Sequence, residues 1–258
     1  METKQVVKKA AVISRRYLSK IGIGRKEKVF AIGYNKSAST SLHTLFQSLG
    51  LRSYHGEAWR QQDNLALLQE YDCFSDGTPR DLAELDRLFP NSKYILNLRD
   101  LEGWIYSRLA HIERLKKSPR SHKIKPIWDA TEEAIKLWIQ QRNEYHLSVL
   151  SFFADRPDDI LVVNFIRDEL AAEKVCRFLG YEQNFQNPKK NVNPSKERPK
   201  QHTQMLHRCV EALGISKQDL YYDIYCPSIE KEETRTMFPP DSSMLRGYVG
   251  NSGNSLIA

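Results

Sequence analysis

The stretch Gly33-Tyr34-Asn35-Lys36-Ser37-Ala38-Ser39-Thr40-Ser41 puts one cation among several hydroxyls. It stands where a short apolar run, Val29–Gly33, gives way to a helical pattern. A loop that leaves a strand and opens a helix turns unpaired backbone N–H groups and the positive helix end toward an anion. Lys36 and the hydroxyls add side-chain donors, and the chemistry they suit is the binding of a phosphate-like group. The segment does not follow GxxxxGK[ST], because its Lys precedes the hydroxyls instead of opening the helix. Ordinary ATP or GTP chemistry is therefore disfavoured. The plainer use of the same residues is a hydroxyl-rich helix cap with a solvated Lys36.

Lys36–Ser41 (Lys-Ser-Ala-Ser-Thr-Ser) resembles the 5′-phosphosulfate loop of sulfotransferases that use 3′-phosphoadenosine 5′-phosphosulfate (PAPS), commonly Lys-Ser-Gly-Thr-Thr. Ala38 stands in the usual Gly position. Ala is tolerated at a helix N-terminus, so a small change of loop geometry is expected there. The resemblance implies a cofactor-binding set of Lys36, Ser37, Ala38, Ser39, Thr40 and Ser41. Lys36 would contact the bridging oxygen and the transferring sulfuryl group, and Ser39, Thr40 and Ser41 would hold the 5′-phosphate.

A second match lies downstream. The family's 3′-phosphate motif is an Arg ending a strand and a Ser eight positions later, and Arg99 and Ser107 have that spacing. An Arg fork just past a strand and a hydroxyl two helical turns on can reach one phosphate. The competing uses are an Arg99 ion pair with Asp100 or Glu102 and a Ser107 that fills a helix face. The stretches FSDGTPRDLAELDRLFPNSKYILNLRDLEGWIYS and DILVVNFIRDELAAEKVCRFLG extend the likeness over residues 28–195. The late Arg-Lys-Gly of many cytosolic members is absent. Lys189, Lys190, Lys196, Arg198 and Lys200 are the available substitutes.

Sulfuryl transfer needs positioning, electrostatic stabilisation and a general base. The resemblance implies a catalytic Lys36 and leaves the base open between two residues. Many members carry a His ahead of the 3′-phosphate Arg, and here the position 23 residues before Arg99 is Asp76. Asp76-Gly77-Thr78-Pro79 is also a strong turn signal, so Asp76 has a purely conformational alternative. The rival is His55, 19 residues after Lys36 and near Glu57, with a side chain poised near neutral pH. The donor would be PAPS, the nucleotide product PAP, and no metal is implied. His202 and His207 suit no common helical metal-ligand spacing.

These residues need a scaffold. Apolar runs at Val29–Gly33, Leu51–His55, Tyr71–Ser75, Lys93–Leu98 and Asp159–Phe165 read as strands. Helical patterns follow at Thr40–Leu49, from Leu82, from Leu101, at Asp129–Phe153, Glu169–Leu179, Thr203–Leu213 and Gln218–Tyr225. Alternation of this kind predicts an α/β fold: a P-loop-like parallel sheet flanked by helices on both faces, with a helical and irregular C-terminal extension. Ligands in such sheets bind beyond the carboxyl ends of the strands.

The chain has 258 residues and a formal charge of +7. Residues 1–28 hold nine Lys/Arg and two Glu, which leaves the remainder formally neutral. A nucleic-acid-binding body is therefore disfavoured. We divide the chain into a basic arm (1–27), a sulfotransferase-like domain (28–227) and a polar tail (228–258). The arm is either a solvated leader or a membrane-surface contact through residues 1–28. Cys73, Cys176, Cys209 and Cys226 form no CxxC pair and read as reduced thiols. Those reduced thiols make the expected location cytoplasmic, and no apolar run approaches the roughly 20 residues that span a bilayer. The acceptor is expected to be a small molecule or glycan bearing a hydroxyl or amine. The runner-up activity is a kinase-like phosphotransferase on the same scaffold.

Overall fold

The computed structural model describes residues 27–119, 122, 129–182, 187–188, 198–229, 243–245 and 248. The basic arm, most of the Ser118–Lys125 loop, Lys189, Lys190, Lys196 and most of the C-terminal tail lie outside them. The chain divides into two compact units. One is Met1–Asn97 with Arg156–Asn191, and the other is Leu98–Asp155 with Val192–Ala258.

The first unit holds a five-stranded sheet in the order β2-β3-β1-β4-β5, parallel throughout. The strands are β1 (Val29–Ala31), β2 (Ser53–His55), β3 (Cys73–Ser75), β4 (Lys93–Asn97) and β5 (Ile160–Val163). Its helices are α1 (Ser39–Ser48), α2 (Leu65–Glu70), α3 (Leu82–Leu88) and α6 (Ala171–Phe178). Side chains alternate across the pleat, so each short apolar run supplies both faces. Val29, Ala31, Cys73, Ile95 and Val163 share one face. They pack with Leu42, Leu45 and Phe46 of α1, with Leu49 that caps its end, and with Ala171, Val175 and Cys176 of α6.

Phe30, Phe74 and Tyr94 point the other way. Phe30 stacks on Phe74 at 5.1 Å and on Tyr94 at 5.7 Å, and Trp59 and Phe89 close over it. The sheet is thus buried on both faces, which is why its strands read as continuous apolar runs and not as alternating ones. The chain leaves β1 for the outer strand β2, returns through β3, and crosses to β4 on the other side of β1. In an open α/β sheet the usual ligand position is where the strand order reverses, which here is beyond the carboxyl end of β1.

The second unit is helical: α4 (Leu101–Lys116), α5 (Glu132–Phe152) and α7 (Lys200–Ala212). Asp100 caps α4 by accepting from Gly103 N–H at 2.6 Å, and Thr131 caps α5 through Ala134 N–H at 3.2 Å. Gln218–Tyr225 departs from the expected helix. It forms a 3₁₀ turn over Lys217–Tyr221 and then an extended segment. Arg142, Asn143 and His146 of α5 hold that segment by its backbone, so its polar groups are satisfied without a helix.

All four cysteines are buried and free. Burial pushes the Cys226 thiol up to about 12 and those of Cys176 and Cys209 up to about 11. Among the described residues no helix is long and apolar enough to cross a membrane.

Candidate functional site

The loop after β1 is built around one buried side chain. Asn97, at the end of β4, is wholly inaccessible. Its Oδ1 accepts from Gly33 N–H at 3.0 Å, and its Nδ2 donates to Ser37 O at 2.8 Å. Both ends of the loop are thereby tied to the neighbouring strand. Gly33 is required by space: a Cβ there would lie 2.0 Å from Asn97 O. Lys36 and Ala38 both take left-handed backbone conformations, with φ of 72° and 64°. Ala38 is therefore no ordinary helix-start residue, contrary to expectation. It holds a conformation natural to Gly, at the cost of a Cβ close to the following carbonyl.

Ala38 is also the N-cap of α1, so it offers no side-chain oxygen to the first turn, and that turn contains no acidic residue. By contrast α2, α3, α4 and α5 each open on a side-chain cap. The start of α1 thus combines a helix N-terminus without a side-chain cap, the buried Ser39 and Ser41, the half-buried Thr40, and Lys36. These are the parts of an anion cradle.

His55 ends β2 beside this loop. Its Nε2 lies 3.3 Å from Thr40 Oγ1 and its Nδ1 lies 2.9 Å from Ser75 Oγ. The ring stacks on His43 at 5.3 Å, and His43 Nδ1 meets Ser53 Oγ at 2.8 Å. Burial lowers the His55 pKa below its usual value. The Asp76 carboxylate opposes that shift and the Lys36 ammonium adds to it. His55 is accordingly neutral at pH 7, with both nitrogens engaged.

Asp76 follows β3 with φ of 90°, and Gly77 follows with φ of 117°. The conformational reading of the Asp-Gly turn is therefore correct as far as the backbone goes. That turn also delivers a half-buried carboxylate into electrostatic reach of His55. The end of β3 is held by Trp59, whose Nε1 donates to Ser75 O at 2.9 Å. The first unit thus gathers Lys36, Thr40, His55 and Asp76 at the carboxyl ends of three neighbouring strands.

The second unit carries Arg99 and Ser107. Asp100 serves as the α4 cap, and Glu102 pairs with Arg198 at 2.7 Å. Both acidic neighbours thus have work of their own. A Cβ on Gly103 would come within 2.9 Å of Arg99 Nε, so the Arg99 side chain lies over Gly103. Gly103 and Ser107 are four residues apart and share one face of α4. The Arg99 fork and the Ser107 hydroxyl therefore lie on the same strip of helix. Burial lowers the Arg99 pKa, the Asp100 carboxylate opposes this, and the Arg198 cation lowers it further. Arg198 stacks on the Tyr106 ring at 4.3 Å. Of the late cations considered from the sequence, Arg198 and Lys200 are among the described residues, and of these two it is Arg198 whose charge acts on Arg99.

Two residues were missed. Asn97 is a lone polar residue in the strand run Lys-Tyr-Ile-Leu-Asn, and that interruption was its signal. Arg142 continues the apolar face of Ile135, Trp138 and Ile139, and that placement was its signal. Among the described residues no group of three or more His, Cys, Asp or Glu could hold a metal ion.

No match to a curated protein reaches significance. Residues 28–155, from β1 through α5, match the family model described as Sulfotransferase domain, and over that segment the chain is similar to the sulfotransferase family.

Proposed function

We propose that the protein transfers a sulfuryl group from PAPS to a hydroxyl or amine of a small-molecule or glycan acceptor. The observation that carries this reading is the loop Gly33–Ala38. It is tied at both ends by Asn97, turns through left-handed Lys36 and Ala38, and opens an uncapped helix inside the family-matched segment. Such a loop suits the 5′-phosphosulfate, with Lys36 toward the bridging oxygen. Arg99, Ser107 and Arg198 suit the 3′-phosphate, whose two charges favour guanidinium partners.

In the transfer the acceptor oxygen or nitrogen attacks sulfur in line. The bond from sulfur to the 5′-phosphate oxygen breaks, and its electron pair leaves with PAP. Lys36 stabilises that growing negative charge. The acceptor proton passes to a base. Asp76 is the better candidate, because both ring nitrogens of His55 already serve Thr40 and Ser75. His55 then acts by orienting Thr40.

The test is nucleotide choice followed by transfer. PAP should bind without Mg²⁺ and more tightly than ATP, and labelled PAPS should pass its sulfuryl group to members of a panel of alcohols, phenols, amines and glycans. Tighter, Mg²⁺-dependent ATP binding would return the chain to the kinase-like reading.

A further inference from the structure

Arg142 is 1% exposed, in the middle of α5. Burying a guanidinium is expensive, and an apolar side chain of similar volume often fills such a place at no loss of stability. Packing alone therefore does not explain this residue. What Arg142 touches is backbone. Its Nη2 donates to Arg99 O at 2.8 Å, to Tyr222 O at 3.2 Å and to Asp223 O. Tyr222 O also accepts from Leu101 N–H at 3.1 Å. The turn Arg99–Leu101 is thus pinned on both sides of Asp100 to the Tyr222–Asp223 segment.

That segment is itself fixed by the same helix. Asn143 Oδ1 accepts from Cys226 N–H at 2.5 Å, and His146 Nδ1 meets Ile224 O at 2.6 Å. Tyr248 OH donates to Asp223 Oδ2 at 2.7 Å. The Arg142 guanidinium also lies over the Trp104 ring at 5.8 Å, one residue from Gly103, the glycine that the Arg99 side chain crosses. The Arg99 carbonyl, the Trp104 ring beside Gly103 and the Tyr222–Asp223 segment that Leu101 meets all converge on Arg142.

We propose that Arg142 is the positioning residue for Arg99, and that it confers the preference for a nucleotide bearing a 3′-phosphate. This rests on the PAPS reading above. A guanidinium grips a phosphate well only when its fork is held in plane with the phosphate oxygens, and a tilt forfeits one of the two parallel bonds. Arg142 supplies the restraint through the Arg99 carbonyl without touching the nucleotide.

The experiment compares PAP with 5′-AMP, which lacks the 3′-phosphate, as ligands of the full chain by calorimetry. In Arg142→Lys, which keeps the charge but loses the fork, PAP affinity should fall at least about tenfold and 5′-AMP affinity less than about twofold. The double variant Arg99→Ala/Arg142→Lys should bind PAP no more weakly than Arg99→Ala alone, because coupled residues are not additive. A merely structural Arg142 would weaken both nucleotides alike and add to Arg99→Ala, and either result overturns the proposal. If Arg142→Lys does not fold, Arg142→Met is read in the same way, and failure of both to fold also overturns it. A parent protein that binds PAP no better than 5′-AMP would refute the PAPS reading instead.

Discussion

Asn97 Oδ1 accepts the Gly33 N–H at 3.0 Å, so the last residue of β4 holds the first residue of the candidate phosphate loop. The same amide donates to Ser37 O, four residues on. A two-ended amide can brace both ends of a short loop, which neither an acid nor a hydroxyl of similar size does as well. The loop's shape is therefore set by the sheet and not by its ligand. Asn97→Ala should leave a buried N–H and C=O without partners and cost about 2–4 kcal/mol. PAP binding should weaken with it, although Asn97 is fully buried. Chemical denaturation and PAP titration check both, and an unchanged stability would remove Asn97 from this role.

Ala38 occupies a left-handed conformation, with φ of 64° and ψ of 25°. An L-residue other than Gly loses roughly 1–2 kcal/mol there, while Gly costs something in unfolded-state entropy. Ala38→Gly should therefore stabilise the protein by about 0.5–1 kcal/mol and leave PAP affinity within about twofold. Thermal unfolding with and without PAP reads both quantities. A destabilised Ala38→Gly would mean that the backbone does not hold this conformation in solution.

The sheet was legible because β1, β3, β4 and β5 are compact, largely buried runs, and because helical patterns separate them; the edge strand β2, Ser-Tyr-His, is only half-buried. The candidate phosphate loop stood out for a local reason, since its donors are contiguous in sequence. Arg99 and Ser107 stood out because the start of one helix sets their spacing. Asn97 and Arg142 did not, because each acts on backbone groups far along the chain: Asn97 spans 64 residues to Gly33, and Arg142 spans 80 to Tyr222. The local signal marks each as a polar residue in an apolar place but does not name its partner. Gln218–Tyr225 departs from the expected helix beyond the 3₁₀ turn Lys217–Tyr221 for a related reason. Its helical pattern is overridden by hydrogen bonds from α5, and no sequence window contains both partners.

Asp76 and His55 are separable by kinetics. Asp76→Asn keeps the size of the side chain, and the new residue accepts the left-handed backbone more readily than most. It should lower kcat by about 10²–10⁴-fold and leave PAP affinity nearly unchanged. His55→Gln should instead weaken PAP binding by loosening Thr40, with a smaller effect on kcat. Steady-state assays with a responsive acceptor, alongside PAP titration, distinguish the two. A reversed pattern would transfer the base role to His55.

Lys36 and Arg99 are expected to fail in different ways. On the proposed reading Lys36→Ala removes the charge that meets the leaving group, so kcat should fall far more than PAP affinity. On the same reading Arg99→Ala removes a partner of the nucleotide, so PAP should bind about tenfold or more weakly. If both variants bound PAP like the parent, the assignment of the two phosphates would be wrong.

Three histidines give the fold an acid limb. His146 is held well below the ordinary value of 6.5 by burial and by the Arg142 cation, with its bond to Ile224 O in opposition. Burial also lowers His43 and His55. A histidine whose folded pKa is depressed binds its proton more readily when unfolded. The stability it contributes is present above pH 6.5 and is lost as pH falls toward the folded pKa. Each such group adds up to about 1.4 kcal/mol per pH unit to the slope. Unfolding free energy should therefore decline below pH 6.5, and most of the deeper loss should come from His146, the most fully buried of the three. His146→Gln should be less stable than the parent at pH 7.5 and show a flatter acid limb, measured by denaturant titration from pH 7.5 to 5. An equally steep limb in His146→Gln would place the titrating groups elsewhere.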